Sequence, residues 1–441
     1  MASALNVALP AIGDELSLDA VALGWVVTAY ILAAAVLLLP FGRAGDIYGR
    51  KRTFLYGMVV YSIGSLLSAA APSATWLILA RVVNGAGAAM GFATGMAILM
   101  SVVSPQERGK MLGWNVSAVY LGLSLGPVLG GIITHDLGWR WIFGINAVAG
   151  LVGVAFTLWK MKGEWAEAGG EGFDAVGAVL YAATLVSLMY GASQLPNMLG
   201  LILLPASAVG LVLFVRWEMR ARSPLFDVAS FRNNTVFALS NLAALINYSA
   251  TAAVGFLLSL YLEYAKGLSP QRAGAILIAQ PLVMTVFSPL AGRLSDRIAP
   301  RKLAAVGMAL TALGLTAFCF LQQDTSLHAV VAGLSILGLG FALFSSPNTN
   351  AVMSSVDRKY YGIASGTLGS MRLIGQMLSM AVVMLILSLL MGRVRITPEN
   401  YAAFGRCVRV AFGVFAALCA LGVLASSARG RPAPGDRAPA L

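Results

Sequence analysis

Apolar runs of about twenty residues, separated by short polar breaks, recur along almost the whole chain. They predict helices over roughly 21–41, 53–71, 75–101, 110–133, 140–159, 175–194, 199–216, 234–263, 272–291, 303–321, 328–352, 363–390 and 405–425. Each is long enough, as an α-helix, to cross a hydrocarbon core of about 30 Å. Only helices and closed barrels satisfy every backbone group in lipid, and these runs are too long and too continuous for barrel strands. The first run, Met1 to Ile12, would cover only about 18 Å as a helix. The N-terminal part of helix 1 is therefore expected upstream of Met1, and with it the count is fourteen. The run lacks the basic n-region of a signal peptide. The pattern predicts an all-α polytopic membrane protein.

The polar breaks carry their own pattern. Gly42 to Arg52 reads GRAGDIYGRKR, and 250 residues later Gly292 to Lys302 reads GRLSDRIAPRK. The two copies share a glycine, an arginine, an aspartate and a basic pair, which points to a duplicated membrane protein. Two six-helix halves alone would place the copies six helices apart, but they follow helices 2 and 10. The extra pair is assigned to 175–194 and 199–216, joined by a tight Leu195-Pro196-Asn197 turn. The expected organisation is a six-helix bundle over 1–160, two added helices with their linkers over 161–232, a second bundle over 233–425 and a disordered tail over 426–441.

Composition sharpens this reading. The chain is 59% hydrophobic and only 11% charged, where soluble domains run nearer a quarter. Its net charge of +12 would suggest nucleic acid in a soluble protein, but here the cations sit in short loops. Alternate loops and the tail collect twenty-one of the 30 Lys and Arg, against about seven on the other side. By the positive-inside bias the richer side is cytoplasmic, with both termini inside a prokaryotic cytoplasmic membrane. Cys319, Cys407 and Cys419 lie in apolar runs as small hydrophobes, and no Cys/His cluster suggests a metal. No nucleophile elbow or paired acids point to an enzyme.

Four stretches then carry a resemblance. They are the loop Gly42 to Arg52; GLSLGPVLGG from Gly122 to Gly131; RVVNGAGAAMG from Arg81 to Gly91; and Arg372 in SMRLIGQ, with SPQERGK at 104–110 and GWRWIFGIN at 138–146 in support. Together they resemble the major facilitator superfamily, specifically its fourteen-helix drug/proton antiporter branch. The resemblance implies two six-helix bundles plus two linker helices. It also implies a conformational latch joining the halves through Gly42, Asp46, Gly49, Arg50 and Lys51, with Gly292, Asp296 and Arg301 in the second copy. Ala299 replaces a glycine there. Gly122, Gly126, Pro127, Gly130 and Gly131 match an exporter signature; glycines spaced by four leave a smooth helix face, and Pro127 bends the helix. Asn84 stands where glutamine is more usual.

Proton coupling is likewise implied by the resemblance, with no cofactor beyond the proton gradient. Arg81 lies in an apolar run, where a charge costs roughly 2.5–3.5 kcal/mol on insertion scales. It either faces protein or a wet cavity with a partner, or snorkels to the boundary. The embedded acid within the spans is Glu263; the branch's helix-1 aspartate would align with Met1. The coupling acid is thus Glu263, a residue upstream, or absent. Tyr30, Asn84, Asn115, Tyr120, Asn247, Tyr248, Gln280, Asn348 and Gln376 are candidates for a mostly apolar substrate cavity, each of which could equally bond between helices. Trp139 and Trp141 fit an interfacial belt. The expected function is export of small lipophilic, drug-like compounds by alternating access, in a monomer. The alternatives are an exporter of one endogenous anionic metabolite, or a non-transporting receptor on the same scaffold.

Overall fold

A computed structural model describes residues 2–103, 108–166, 168, 170–221, 223–226, 228, 231, 234–295, 297–356 and 361–427. The described chain is all-α, with fourteen helices running back and forth. They are α1 (Ala2–Glu15), α2 (Ala20–Tyr48), α3 (Arg50–Ala69), α4 (Ala74–Val102), α5 (Arg108–Asp136), α6 (Arg140–Lys160), α7 (Ala175–Gln194) and α8 (Met198–Glu218). There follow α9 (Thr235–Ala265), α10 (Pro270–Ser295), α11 (Pro300–Phe318), α12 (Leu327–Ser354), α13 (Tyr361–Leu390) and α14 (Tyr401–Ser427). Twelve are long and apolar enough to cross a membrane; α1 is 14 residues long and α3 opens on three consecutive cations. The tail expected to be disordered lies, from residue 428, outside the described residues.

Short polar side chains set the helix starts. Asp19 accepts from Ala22 N at 2.7 Å, Asp174 from Gly177 N at 2.8 Å and Asn234 from Phe237 N at 2.9 Å, each satisfying a first-turn N–H that the helix leaves open. α9 and α10 are interrupted. α9 breaks after Thr251 and ends in a π-helical turn, Tyr261–Ala265, while α10 breaks between Leu277 and Ala279.

Helices α1–α6 pack on one another, and α9–α14 form a second group. The groups meet where α2 lies on α13 and where α5 lies on α10. The α7–α8 hairpin packs through α7 against that seam: the Tyr181 hydroxyl donates to Ala35 O of α2 at 3.2 Å, and Ser388 of α13 donates to Leu195 O at 2.5 Å. The outer surface is studded with exposed Leu, Val, Phe and Trp, as a lipid-facing wall requires. Trp141 is 57% exposed there, but Trp139, expected in the same belt, is buried and gives its indole N–H to Glu15 at 2.7 Å.

With no hydrophobic force between helices in lipid, close backbone approach does the packing, and glycines permit it. A Cβ on Gly64 would lie 2.6 Å from Asn84 N, so α3 and α4 touch backbone to backbone. In the second half Gly307 makes the same approach, 2.6 Å from Phe344 N, and joins α11 to α12. Gly64→Ala should therefore cost about 1–3 kcal/mol by overpacking. Gly91→Ala, where a Cβ meets nothing within 4 Å, should be near neutral. Thermal midpoints in detergent check this: equal values for the two variants would refute the contact.

Candidate functional site

Where the halves face each other near the middle of their helices, α5, α9, α10, α12 and α13 bring together Tyr120, Tyr248, Met284, Phe341 and Arg372. The Tyr248 and Phe341 rings meet edge to face with centroids 5.4 Å apart. Tyr120 reaches across the interface to Ser345 Oγ at 3.4 Å, and Ser124 pairs with Thr285 at 3.0 Å. The Arg372 guanidinium lies 5.7 Å from the Tyr248 ring, and Nη2 donates to Thr349 Oγ1 at 2.8 Å. Its Nε, and both amide atoms of fully buried Asn247, find no hydrogen-bond partner among the described residues. The cluster is aromatic, carries one fixed cation and holds no carboxylate among the residues named. It suits flat or apolar molecules with a polar or anionic edge.

The other cavity candidates are spread. Asn348 is buried and donates to Ser240 O at 3.1 Å within the second half. Gln280 and Gln376 are half-buried on α10 and α13. Asn115 lies on α5, its side chain outside the described set. Tyr30 and Asn84 are not at the interface at all. Both belong to a polar knot inside the first half, around Arg81.

Arg81 is 5% exposed, which rules out snorkelling. Its Nε donates to Val26 O at 3.1 Å and its Nη1 to Asn84 Oδ1 at 2.7 Å, while the guanidinium stacks 4.5 Å from the Tyr30 ring centre. Asn84 Nδ2 then donates to Tyr61 O and Ser65 Oγ at 2.8 and 2.9 Å. The amide is therefore committed to the helices around it, which corrects its placement in the cavity. Beside the knot is a void of about 20 Å³ lined by Tyr30, Tyr61, Arg81 and Asn146. That volume admits about one water molecule and excludes a drug.

Gly42 and the charged loop lie at the cation-rich end. Asp46 Oδ1 accepts from Arg50 Nε at 2.7 Å, and Arg50 Nη1 donates to Ser101 Oγ at 3.0 Å. Further bonds run to the segment after α6. Glu164 accepts from Lys51 N at 2.8 Å and Arg52 N at 3.2 Å, capping the open amides at the start of α3. Lys51 Nζ donates to Met161 O, Arg43 pairs with Glu171 at 2.6 Å, and Ala168 N donates to Asp46 O. Gly49 has φ +118° and a Cβ there would sit 2.6 Å from Glu164 Cδ, so the position needs glycine twice over. The resemblance implies a latch between halves in the outward-facing state; in this conformation, sealed at the other end, these bonds join the loop to 161–171. Glu164 and Glu171 escaped the sequence reading, although an acidic stretch following a basic loop was a signal. In the second copy, Gly292 lies against Ser346, Arg301 is half-buried, and Asp296 lies outside the described residues.

At the cation-poor end the halves close tightly. Gly126 and Gly130 of α5 take α1, with a Gly130 Cβ 2.6 Å from Ala4 Cα, while Gly131 takes α10 at Pro270 O, also 2.6 Å. The Pro127 carbonyl lies against Gly274 of α10, and Gly122 faces open space. Ala20 N donates to Val394 O at 3.1 Å, and Ser259 Oγ of α9 donates to Asn6 O of α1 at 2.6 Å. Glu263 stands one turn on from Ser259, its Oε1 3.0 Å from that hydroxyl.

The family model described as Major Facilitator Superfamily matches residues 1–215 and 240–440. The riboflavin transporter RibZ of Clostridioides difficile (strain 630) is 30% identical over 370 residues, covering 84% of this chain and 81% of that protein. The multidrug resistance protein Stp of Mycobacterium tuberculosis (strain CDC 1551 / Oshkosh) is 31% identical over 385 residues, covering 86% and 71%. Among solved structures, a peptide transporter POT in complex with sulfate superposes with a TM-score of 0.67 at 15% identity, over 95% of this chain and 90% of that one. Two packed helical groups, a repeated charged loop and a match along nearly the whole chain agree: this protein belongs to the Major Facilitator Superfamily.

Proposed function

We propose that the protein is a proton-coupled exporter of lipophilic, drug-like compounds, working by alternating access in the cytoplasmic membrane. The observation that carries the reading is the aromatic cluster of Tyr120, Tyr248 and Phe341 between the halves, beside a seal at the cation-poor end. Alternating access requires a site between the halves to be closed from one face at a time, and the seal supplies that closure here. Kinship to a multidrug resistance protein supports the export direction. The positive-inside bias supports a cytoplasmic cation-rich side, so the sealed end is the outer one. Purified protein in liposomes with an imposed pH gradient should then drive fluorescent lipophilic dyes against their gradient. No flux with any dye, at any gradient, would refute the proposal.

A second reading is favoured by one observation: among the described residues the buried Nε of the central cation Arg372 has no partner, and no acid pairs with Arg372. A substrate with an anionic edge would complete it, and kinship to a riboflavin transporter supports a flat aromatic cargo. Arg372→Ala separates the two. On the second reading it weakens anionic substrates by about 10- to 100-fold, the worth of a hydrogen bond to a charged group, and leaves cationic dyes alone. On the first, both classes change little.

The Asp46–Arg50 pair and its linker contacts, at the opposite end of 29-residue α2 from the seal, belong on this reading to the conformational cycle and not to cargo. Asp46→Asn should slow transport several-fold while substrate affinity, measured by equilibrium binding, stays within about two-fold. A large loss of affinity with normal cycling would contradict it.

A further inference from the structure

Pro10 lies inside α1 and has no N–H. The carbonyl four residues back, Asn6 O, therefore lacks its usual helical donor. Ser259 of the opposite half fills the gap at 2.6 Å. The approach is close throughout, since a Cβ on neighbouring Gly255 would stand 2.9 Å from Asn6 Nδ2. The same hydroxyl lies 3.0 Å from Glu263 Oε1. A serine has one hydroxyl proton, and it cannot serve both acceptors.

From this proton count we infer that Glu263 is the coupling acid of the exporter and acts by switching the Ser259–Asn6 bond across the outer gate. The inference rests on the proton-coupled reading above. When Glu263 is protonated, its O–H donates to Ser259 Oγ and the serine proton is free to bond Asn6 O; the two halves are tied. When Glu263 passes its proton to water, the carboxylate claims the serine proton by the stronger charge-assisted bond. Asn6 O then loses this donor in a half-buried place, and the tie between the halves is lost. Protonation closes the outer gate and deprotonation favours its opening, which is the order needed for a proton picked up outside to be carried inward. The π-turn that bears Glu263 is a geometry frequent at functional sites.

The other ionisable groups around this turn have separate occupations. The Tyr264 hydroxyl lies 3.3 Å from Pro10 O and 3.4 Å from Asp14 Oδ1, both of α1, and the Asp14 charge reaches Glu263. Tyr261 donates to Gln322 O, and Lys266 is held by Gln323 O and Thr325 O. Arg409 of α14 donates to Leu321 O, with Tyr401 half-buried nearer the start of that helix. Arg272 of α10, Arg395 before α14 and Arg406 are exposed. Among the described residues none forms an ion pair with Glu263.

The test is the distance across the outer end, read by pulsed electron resonance between labels at Pro72→Cys and Asp324→Cys, both exposed. In the full chain in lipid nanodiscs, the open-to-closed ratio should rise about five-fold from acid to alkaline pH, the weight of one net hydrogen bond. Glu263→Gln, whose amide donates as the neutral acid does, should stay closed at every pH. Ser259→Ala should lose the response and Ser259→Thr keep it. Pro10→Ala restores an N–H for Asn6 O within α1, and should fold well yet no longer respond. A pH response surviving in both Glu263→Gln and Pro10→Ala overturns the inference. Should the wild type show no pH response while still exporting dye on a pH gradient, the gate inference fails and the export reading stands. Should the gate respond as described while no compound is moved, the export reading fails and takes the coupling role with it, and the Glu263 switch of the Ser259–Asn6 bond alone is supported.

Discussion

A chain in hydrocarbon has to close every charge and every backbone polar group within itself, and that constraint governs where this protein places its few polar residues. The clearest case is Arg81, a permanent cation with no carboxylate partner among the described residues. It is held by a helix carbonyl, an asparagine oxygen and the face of Tyr30. Asn84 exists to complete that arrangement, spending its two amide hydrogens on α3. The buried serines and threonines follow the same rule, bonding back to carbonyls four residues earlier, as Ser65 does to Tyr61 and Thr311 to Gly307. Where a carbonyl cannot be closed inside its own helix, the opposite half supplies the donor, and a contact between halves results.

Much of the fold was legible because this constraint writes itself into sequence. Long apolar runs must be spans, and the loop repeat with its 250-residue offset gave away both the duplication and the added hairpin. The duplication runs deeper than the loop. Gly57 and Gly64 of α3 recur at the same offset as Gly307 and Gly314 of α11, and in each half they seat one helix on the next. Two pairs of glycines among 48 carry little signal until the helices are seen touching.

The site was less legible, for a geometric reason. A polar residue in an apolar span must face protein, but sequence does not say whether the protein it faces is the next helix or the central interface. Asn84 and Tyr30 face the next helix; Tyr120 and Tyr248 face the interface. All four look alike in a run of hydrophobic residues. Glu164 and Glu171 were hidden differently. Their partners are backbone amides and a cation more than a hundred positions away, a pairing that no local spacing encodes.

The two ends of the molecule are connected by α2, whose 29 residues make a rod of about 44 Å. Its first residue bonds Val394 of the opposite half at the sealed end, and its last turns carry Arg43 and Asp46 into the contacts with the 161–171 segment. Between these, it lies against α13, where Met384 fills the place of a side chain at Gly24 and Leu38 touches Gly369. A rod held at both ends cannot tilt to open one without straining the other. The loop's bonds to 161–171 and the seal at the cation-poor end are therefore parts of a single conformation. Interfaces of this kind switch between packings and do not deform smoothly. On the gate inference above, loosening the seal by one hydrogen bond bears on the charged loop at the far end, through a helix that contains neither Glu263 nor Ser259.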